Sequence, residues 1–107
     1  MATNDQSWYG VRKLVRFLGS PQSYEERVTL WRADSFDEAI RRGEDEGREY
    51  ATDLNGELCD LVQAFRVGPD PIGEGSEVFS LVRDNELSPG EYVDAFFDTG
   101  GEYQRHT

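Results

Sequence analysis

The 107-residue chain carries 22 acidic against 11 basic residues, a formal net charge of −11, with 36% hydrophobic and 12% aromatic content. That length sets a single domain, and that charge repels nucleic-acid backbones and anionic membranes while remaining compatible with a basic protein partner. The lone cysteine, Cys59, excludes an intrachain disulfide, and no run approaches the ~20 apolar residues that a membrane helix needs. The first ten residues lack the basic and apolar regions of a signal peptide, so a cytoplasmic protein is expected.

The charge is unevenly divided. Residues 1–33 hold five basic groups (Arg12, Lys13, Arg16, Arg27, Arg32) against three acidic ones, a net of +2. From Asp34 onward six basic groups face nineteen acidic ones, a net of −13.

Residues 1–7 are expected to be a flexible lead-in. Residues 8–17 then alternate as a strand does, with Tyr9, Val11, Val15 and Phe17 on one face, interrupted by Lys13. After a turn at 18–23 the alternation resumes over 24–33, which predicts an antiparallel hairpin. Opposing Phe17 to Tyr24 gathers the aliphatic residues on one face. It places Trp8, Arg12, Arg16, Arg27 and Trp31 on the other, and the pattern favours that register over a slip by one residue.

Ser35 and Glu38 have capping-box spacing at the start of a helix. Its apolar stripe runs Phe36, Ala39, Ile40, Gly43, Gly47, Tyr50, Ala51, Leu54, and the two glycines predict close approach to the sheet. Asp37–Arg41 and Glu44–Arg48 sit at ion-pairing spacing on the solvent side, and Asn55-Gly56 ends the helix. A third strand is predicted over 58–67, a Gly/Pro-rich connection over 68–75, and a fourth strand over 77–83. Ser88-Pro89 opens a short helix presenting Tyr92, Val93, Phe96 and Phe97, stopped by Gly100-Gly101, with a mobile tail at 101–107. The expectation is one α+β domain over 8–100. It has a four-stranded antiparallel sheet in β-β-α-β-β-α order, with the long amphipathic helix and the short C-terminal helix on one face.

The segments WYGVRKLVRF, YEERVTLWRADSFDEAI and EVFSLVRDNELSPGEYVDAFFDTG resemble a family of small bacterial proteins catalogued as domain of unknown function 4288. The resemblance runs from Trp8 to about Gly100 and implies a bacterial, single-domain, cytoplasmic protein. It carries no activity and no site residues with it.

No catalytic, metal or cofactor signature stands out. Asp98-Thr99-Gly100 matches the aspartic-protease triplet, but it ends an amphipathic helix instead of forming a loop between strands, and Gly100 serves as the helix stop. The acidic run Glu44-Asp45-Glu46 is interleaved with arginines and reads as a solvated helix face. Glycines at 73 and 75 lack the Gly-Lys-Ser/Thr of a phosphate loop. His106 is the only histidine and lies in the tail, while Cys59 reads as a small buried residue.

The basic and aromatic set Trp8, Arg12, Arg16, Arg27 and Trp31 therefore stands as the expected binding surface for a protein partner or a second copy. One alternative is an inhibitor or immunity-type protein that meets a basic partner through an acidic helix face of Asp37, Glu44, Asp45 and Glu49. Another is a small ligand-binding protein or enzyme with a pocket near the C-terminal helix, using Tyr50, Tyr92 and Arg83. Direct nucleic-acid binding is disfavoured by the net charge.

Overall fold

The structure is a computed structural model that describes residues 6–97. Expectations placed on Asp98, Thr99, Gly100, His106 and the tail lie outside those residues.

Strands β1 (Ser7–Phe17) and β2 (Ser23–Ala33) form the predicted hairpin, and helix α1 (Phe36–Asp53) follows directly. Strand β3 (Glu57–Gly68) then returns to the free edge of β1, giving an antiparallel sheet in the order β2-β1-β3. β1 begins inside the stretch expected to be flexible, and Ser7 is buried. The last described element is a short helix α2 (Pro89–Tyr92), which runs on into a π-helical turn at Val93–Phe97. Among the described residues no helix is long and apolar enough to cross a membrane.

The expected fourth strand is absent: among the described residues the sheet has three strands, and residues 76–88 carry no regular structure. A strand exists only where a neighbouring edge takes up its backbone amides. Pro69 and Pro71 cannot donate backbone hydrogen bonds, and the chain leaves β3 there and crosses over a sheet face instead of lining up beside an edge. The Phe79 ring lies on the Phe65 ring at 5.1 Å. The two helices consequently lie on opposite faces of the sheet, which corrects the one-face arrangement expected from the element order.

The hairpin register also differs by one residue from the expected one. Tyr9 opposes Trp31, Val11 opposes Thr29, Lys13 opposes Arg27 and Phe17 opposes Ser23. A one-residue change moves a strand's whole side-chain set to the other face. Arg27 and Trp31 thereby join Tyr9, Val11 and Val15 beneath α1, while Val28 and Leu30 remain 53% and 39% exposed on the open face. The physical reason lies at Lys13. Its fully buried ammonium requires polar partners on the helix side, and Thr29 and Arg27 supply or neighbour them only in this register.

The core is small: Tyr9, Val11, Val15, Ala33, Ala39 and Ala51 are buried. Its compactness depends on the predicted glycine stripe. A Cβ on Gly43 would stand 2.5 Å from Val11 Cγ1, and one on Gly47 would stand 3.0 Å from Lys13 Cδ. On the open face Phe65 lies directly over Gly10, where a Cβ would meet its ring at 2.2 Å.

The helix termini largely follow the sequence reading. Ser35 Oγ accepts from the Glu38 amide at 3.1 Å, but the Glu38 carboxylate takes the Asp34 amide instead of that of Ser35, at 3.4 Å. Ser88 and Glu91 make the reciprocal box in full. Asn55 ends α1 in the left-handed region at φ 58°, and the Gly56 amide caps the Ala51 carbonyl at 2.7 Å. The expected pairs Asp37–Arg41 and Glu44–Arg48 are replaced by Glu38–Arg42 at 3.9 Å and Asp45–Arg48 at 2.7 Å. Ser35→Ala removes one donor's partner at an exposed terminus. It is expected to lower stability by about 1 kcal/mol in urea unfolding without changing the slope.

Candidate functional site

The open face of the sheet alternates with the core face along each strand. β1 presents Trp8, Gly10, Arg12, Leu14 and Arg16; β2 presents Tyr24, Glu26, Val28, Leu30 and Arg32. β3 adds Leu61, Gln63 and Phe65. Of the five residues expected to form one binding surface, Trp8, Arg12 and Arg16 share this face. Arg27 and Trp31 do not.

The two arginines on β1 are engaged by their own chain. Arg12 pairs with Glu26, and Arg16 with Glu57, both as exposed pairs. Exposed pairs of this kind contribute about 0–1 kcal/mol, so either arginine can exchange its carboxylate for another.

The segment crossing over this face encloses a groove of about 500 Å³. Val28, Gln63 and Phe65 from the sheet form its floor, and Phe79, Leu81 and Phe96 its wall. Polar groups enter from Arg12, Ser80, Arg83 and Tyr92. Arg83 donates to Tyr92 Oη at 2.9 Å and its guanidinium stands 4.4 Å from the centroid of Phe96. The Tyr92 and Phe96 rings lie 4.9 Å apart, one helical turn from each other. No carboxylate pairs with Arg83 among the described residues. A cation is thereby held over aromatic rings at the mouth of an apolar groove, within a protein of net charge −11.

The sequence placed Arg83 and Tyr92 near a pocket by the C-terminal helix, and the structure brings them together there. Tyr50, grouped with them, lies on the far side of the sheet. Phe79, Gln63 and Phe65 were not singled out. Their signal was alternation within 58–67 and 77–83, which says that they share faces but not that the two segments overlap.

A second polar cluster fills the space under α1. Lys13 Nζ, with its side chain fully buried, donates to Glu46 Oε1 at 2.9 Å and to Thr29 Oγ1 at 2.6 Å. Arg27 grips the same carboxylate with both terminal nitrogens, each at 3.0 Å. Its guanidinium also stacks 3.5 Å over the Tyr50 ring, and Tyr50 Oη donates to Glu25 at 2.7 Å. Trp31 Nε1 donates to Thr29 Oγ1 at 2.7 Å, and Arg42 covers the Trp31 ring at 5.0 Å.

The hydrogen bond from Arg27, aided by Lys13, holds the Glu46 carboxyl below its ordinary value. Burial pulls the Lys13 ammonium below its ordinary value, against the opposing pull of Glu46. The hydrogen bond to Glu25 raises the Tyr50 phenol. Perturbed groups mark functional sites only where a ligand can reach them. Here every strong donor and acceptor is already used within the chain, so the cluster joins helix to sheet. A legible signal existed: Lys13 interrupts an otherwise apolar strand face, and a buried lysine demands a carboxylate from the element packed on it.

On the acidic helix face, Asp37, Asp45 and Glu49 are exposed and Glu44 is half-buried. Asp45 is paired with Arg48, and none of the four lines the groove on the open face. Cys59 is half-buried instead of fully enclosed.

Comparison with protein-family models, curated proteins and solved structures finds no match to this chain.

Proposed function

We propose that this chain is a protein-interaction domain that holds an acidic, apolar segment of a protein partner in the groove on the open face of its sheet. The observation that carries the reading is Arg83: a cation without a carboxylate partner among the described residues, held by Tyr92 and Phe96 where apolar surface converges. Arg, Tyr and other aromatic side chains in a desolvated concavity are the residues that dominate interface energetics. Apolar residues of the partner fill the floor over Val28 and Phe65. An acidic residue meets Arg83, and a second displaces Glu26 from Arg12. Trp8 and Arg16 extend the surface along β1.

The test is an array of immobilised twelve-residue peptides in which Asp and Glu alternate with Phe and Leu, matched by a set carrying Gln and Asn instead. A charge-assisted hydrogen bond contributes about 1.5–3 kcal/mol, so about tenfold or greater preference for the acidic set is expected. Arg83→Glu, with its fold checked by circular dichroism, abolishes that preference. Equal retention of both sets, or an Arg83→Glu chain that binds as the parent does, refutes the reading.

A further inference from the structure

The two edges of the sheet differ in how they are protected. β3 meets β1 with register shifts between Trp8/Tyr9 and Lys13/Val15, and Pro69 and Pro71 follow it immediately. Bulges and prolines are the devices that keep a free edge from pairing with another chain. β2 has neither. It runs in unbroken register with β1 over all eleven residues, contains no proline, and no described strand lies on its outer side.

We propose that β2 is the seam of a homodimer, in which two copies of β2 pair antiparallel about Thr29 and form one six-stranded sheet. In an antiparallel pair, directly opposed residues either both turn their amide and carbonyl across the seam or both turn them away, and the two kinds alternate along a strand. Two copies of β2 can therefore meet only in registers centred on a residue, and the side chains discriminate among these.

Centred on Thr29, Glu26 opposes Arg32 of the second copy, and Val28 opposes its Leu30, each twice by symmetry. Centred on Val28, Glu26 would face Leu30 and Arg32 would face Tyr24. Centred on Leu30, Glu26 would face Asp34, a like charge, and Arg32 would face Val28. Only the Thr29 register matches charge with charge and apolar with apolar on the open face.

The monomer leaves these groups ready. Val28 and Leu30 are 53% and 39% exposed. The Glu26 carboxylate has only an exposed pairing with Arg12. Arg32 contributes its carbonyl to Arg42, and its guanidinium has no partner among the described residues. The symmetry axis runs perpendicular to the sheet, so both open faces lie on the same side of the dimer and both helices on the other. The seam shares Val28 with the groove floor and takes Glu26 from Arg12, but it does not use Arg83, so Arg83→Glu separates the peptide-binding reading from the dimer.

Sedimentation velocity of the full chain over a dilution series reads the association directly. The parent chain is expected to dimerise. Glu26→Arg and Arg32→Glu each raise the dissociation constant at least tenfold, and the double swap restores it. A parent chain that stays monomeric, or a double swap no better than the singles, overturns the proposal.

A second measurement reads the register. Directly opposed residues have Cα atoms about 4.5–5.5 Å apart, within reach of a disulfide. In a Cys59→Ser background, a mixture of Val28→Cys and Leu30→Cys chains cross-links on mild oxidation, whereas either alone does so at least tenfold more slowly. Equal cross-linking of the single variants overturns the Thr29 register.

Discussion

Glu46→Gln lowers the stability of the domain by on the order of 3 kcal/mol, while Lys13→Met leaves it nearly unchanged. The asymmetry follows from how many charges each substitution strands. Glu46 is the shared acceptor of Lys13 and Arg27. Its loss leaves a fully buried ammonium and a mostly buried guanidinium facing each other without a counter-charge. Breaking a buried pair from one side costs about 3–5 kcal/mol, and the lower end applies because the Glu46 side chain is 30% exposed. Lys13→Met instead removes the most costly desolvated charge. Arg27 keeps its two bonds to Glu46, and Thr29 keeps that from Trp31.

The same cluster sets the response to pH. With its folded pKa below the ordinary 4.5, Glu46 contributes stability that is present above that value and lost as pH falls through the depressed one. The Glu46→Gln chain lacks this acid-side loss. Lys13 has the opposite proton balance to a lysine that has gained a strong partner. Between its lowered folded value and 10.5 the unfolded chain binds more protons, so stability rises with pH across that window. The raised Tyr50 phenol acts in the other direction near 10.0, and it cancels when the parent is compared with Lys13→Met. Urea unfolding of the three chains from pH 3 to 10 measures both effects. A Lys13→Met chain as unstable as Glu46→Gln contradicts the account.

Gly43→Ala is expected to destabilise the domain by about 2 kcal/mol, although alanine is the better helix former by about 1 kcal/mol. An added methyl overlaps Val11 Cγ1 at 2.5 Å and Cβ at 2.9 Å, and Val11 is itself fully buried and cannot swing aside. The helix must lift, loosening Ala39 and stretching the bonds to Glu46. Thermal unfolding of Gly43→Ala beside Gly43→Ala/Val11→Ala separates the causes. Shortening Val11 removes the 2.5 Å overlap with Cγ1 and keeps the Cβ contact at 2.9 Å, so the penalty for the alanine falls below its value in the parent without vanishing. An unchanged penalty shows that the overlap with Val11 is not its cause.

The elements set by local chemistry were legible in the chain itself. Hairpin, α1 and β3 follow from apolar periodicity. The termini at Ser35, Ser88 and Asn55 follow from side chains that cap the nearest backbone groups, and the glycine stripe foretold close packing. Each of these depends on residues within a few positions of one another.

What the tertiary structure decided is every feature in which distant segments choose among equivalent partners. Residues 77–83 alternate like a strand, but alternation does not say whether an edge is offered, and the chain crosses the open face instead. The hairpin register turned on one buried charge. Grouping the aliphatic residues favoured one pairing, yet the need to satisfy Lys13 with Thr29 and Glu46 outweighed leaving Val28 and Leu30 exposed. That choice divided the expected basic surface, sending Arg27 and Trp31 beneath α1 and leaving Arg12 on the open face, where it lines the groove that Arg83 also lines. Periodicity reports which residues share a face; only the packed fold determines what that face meets.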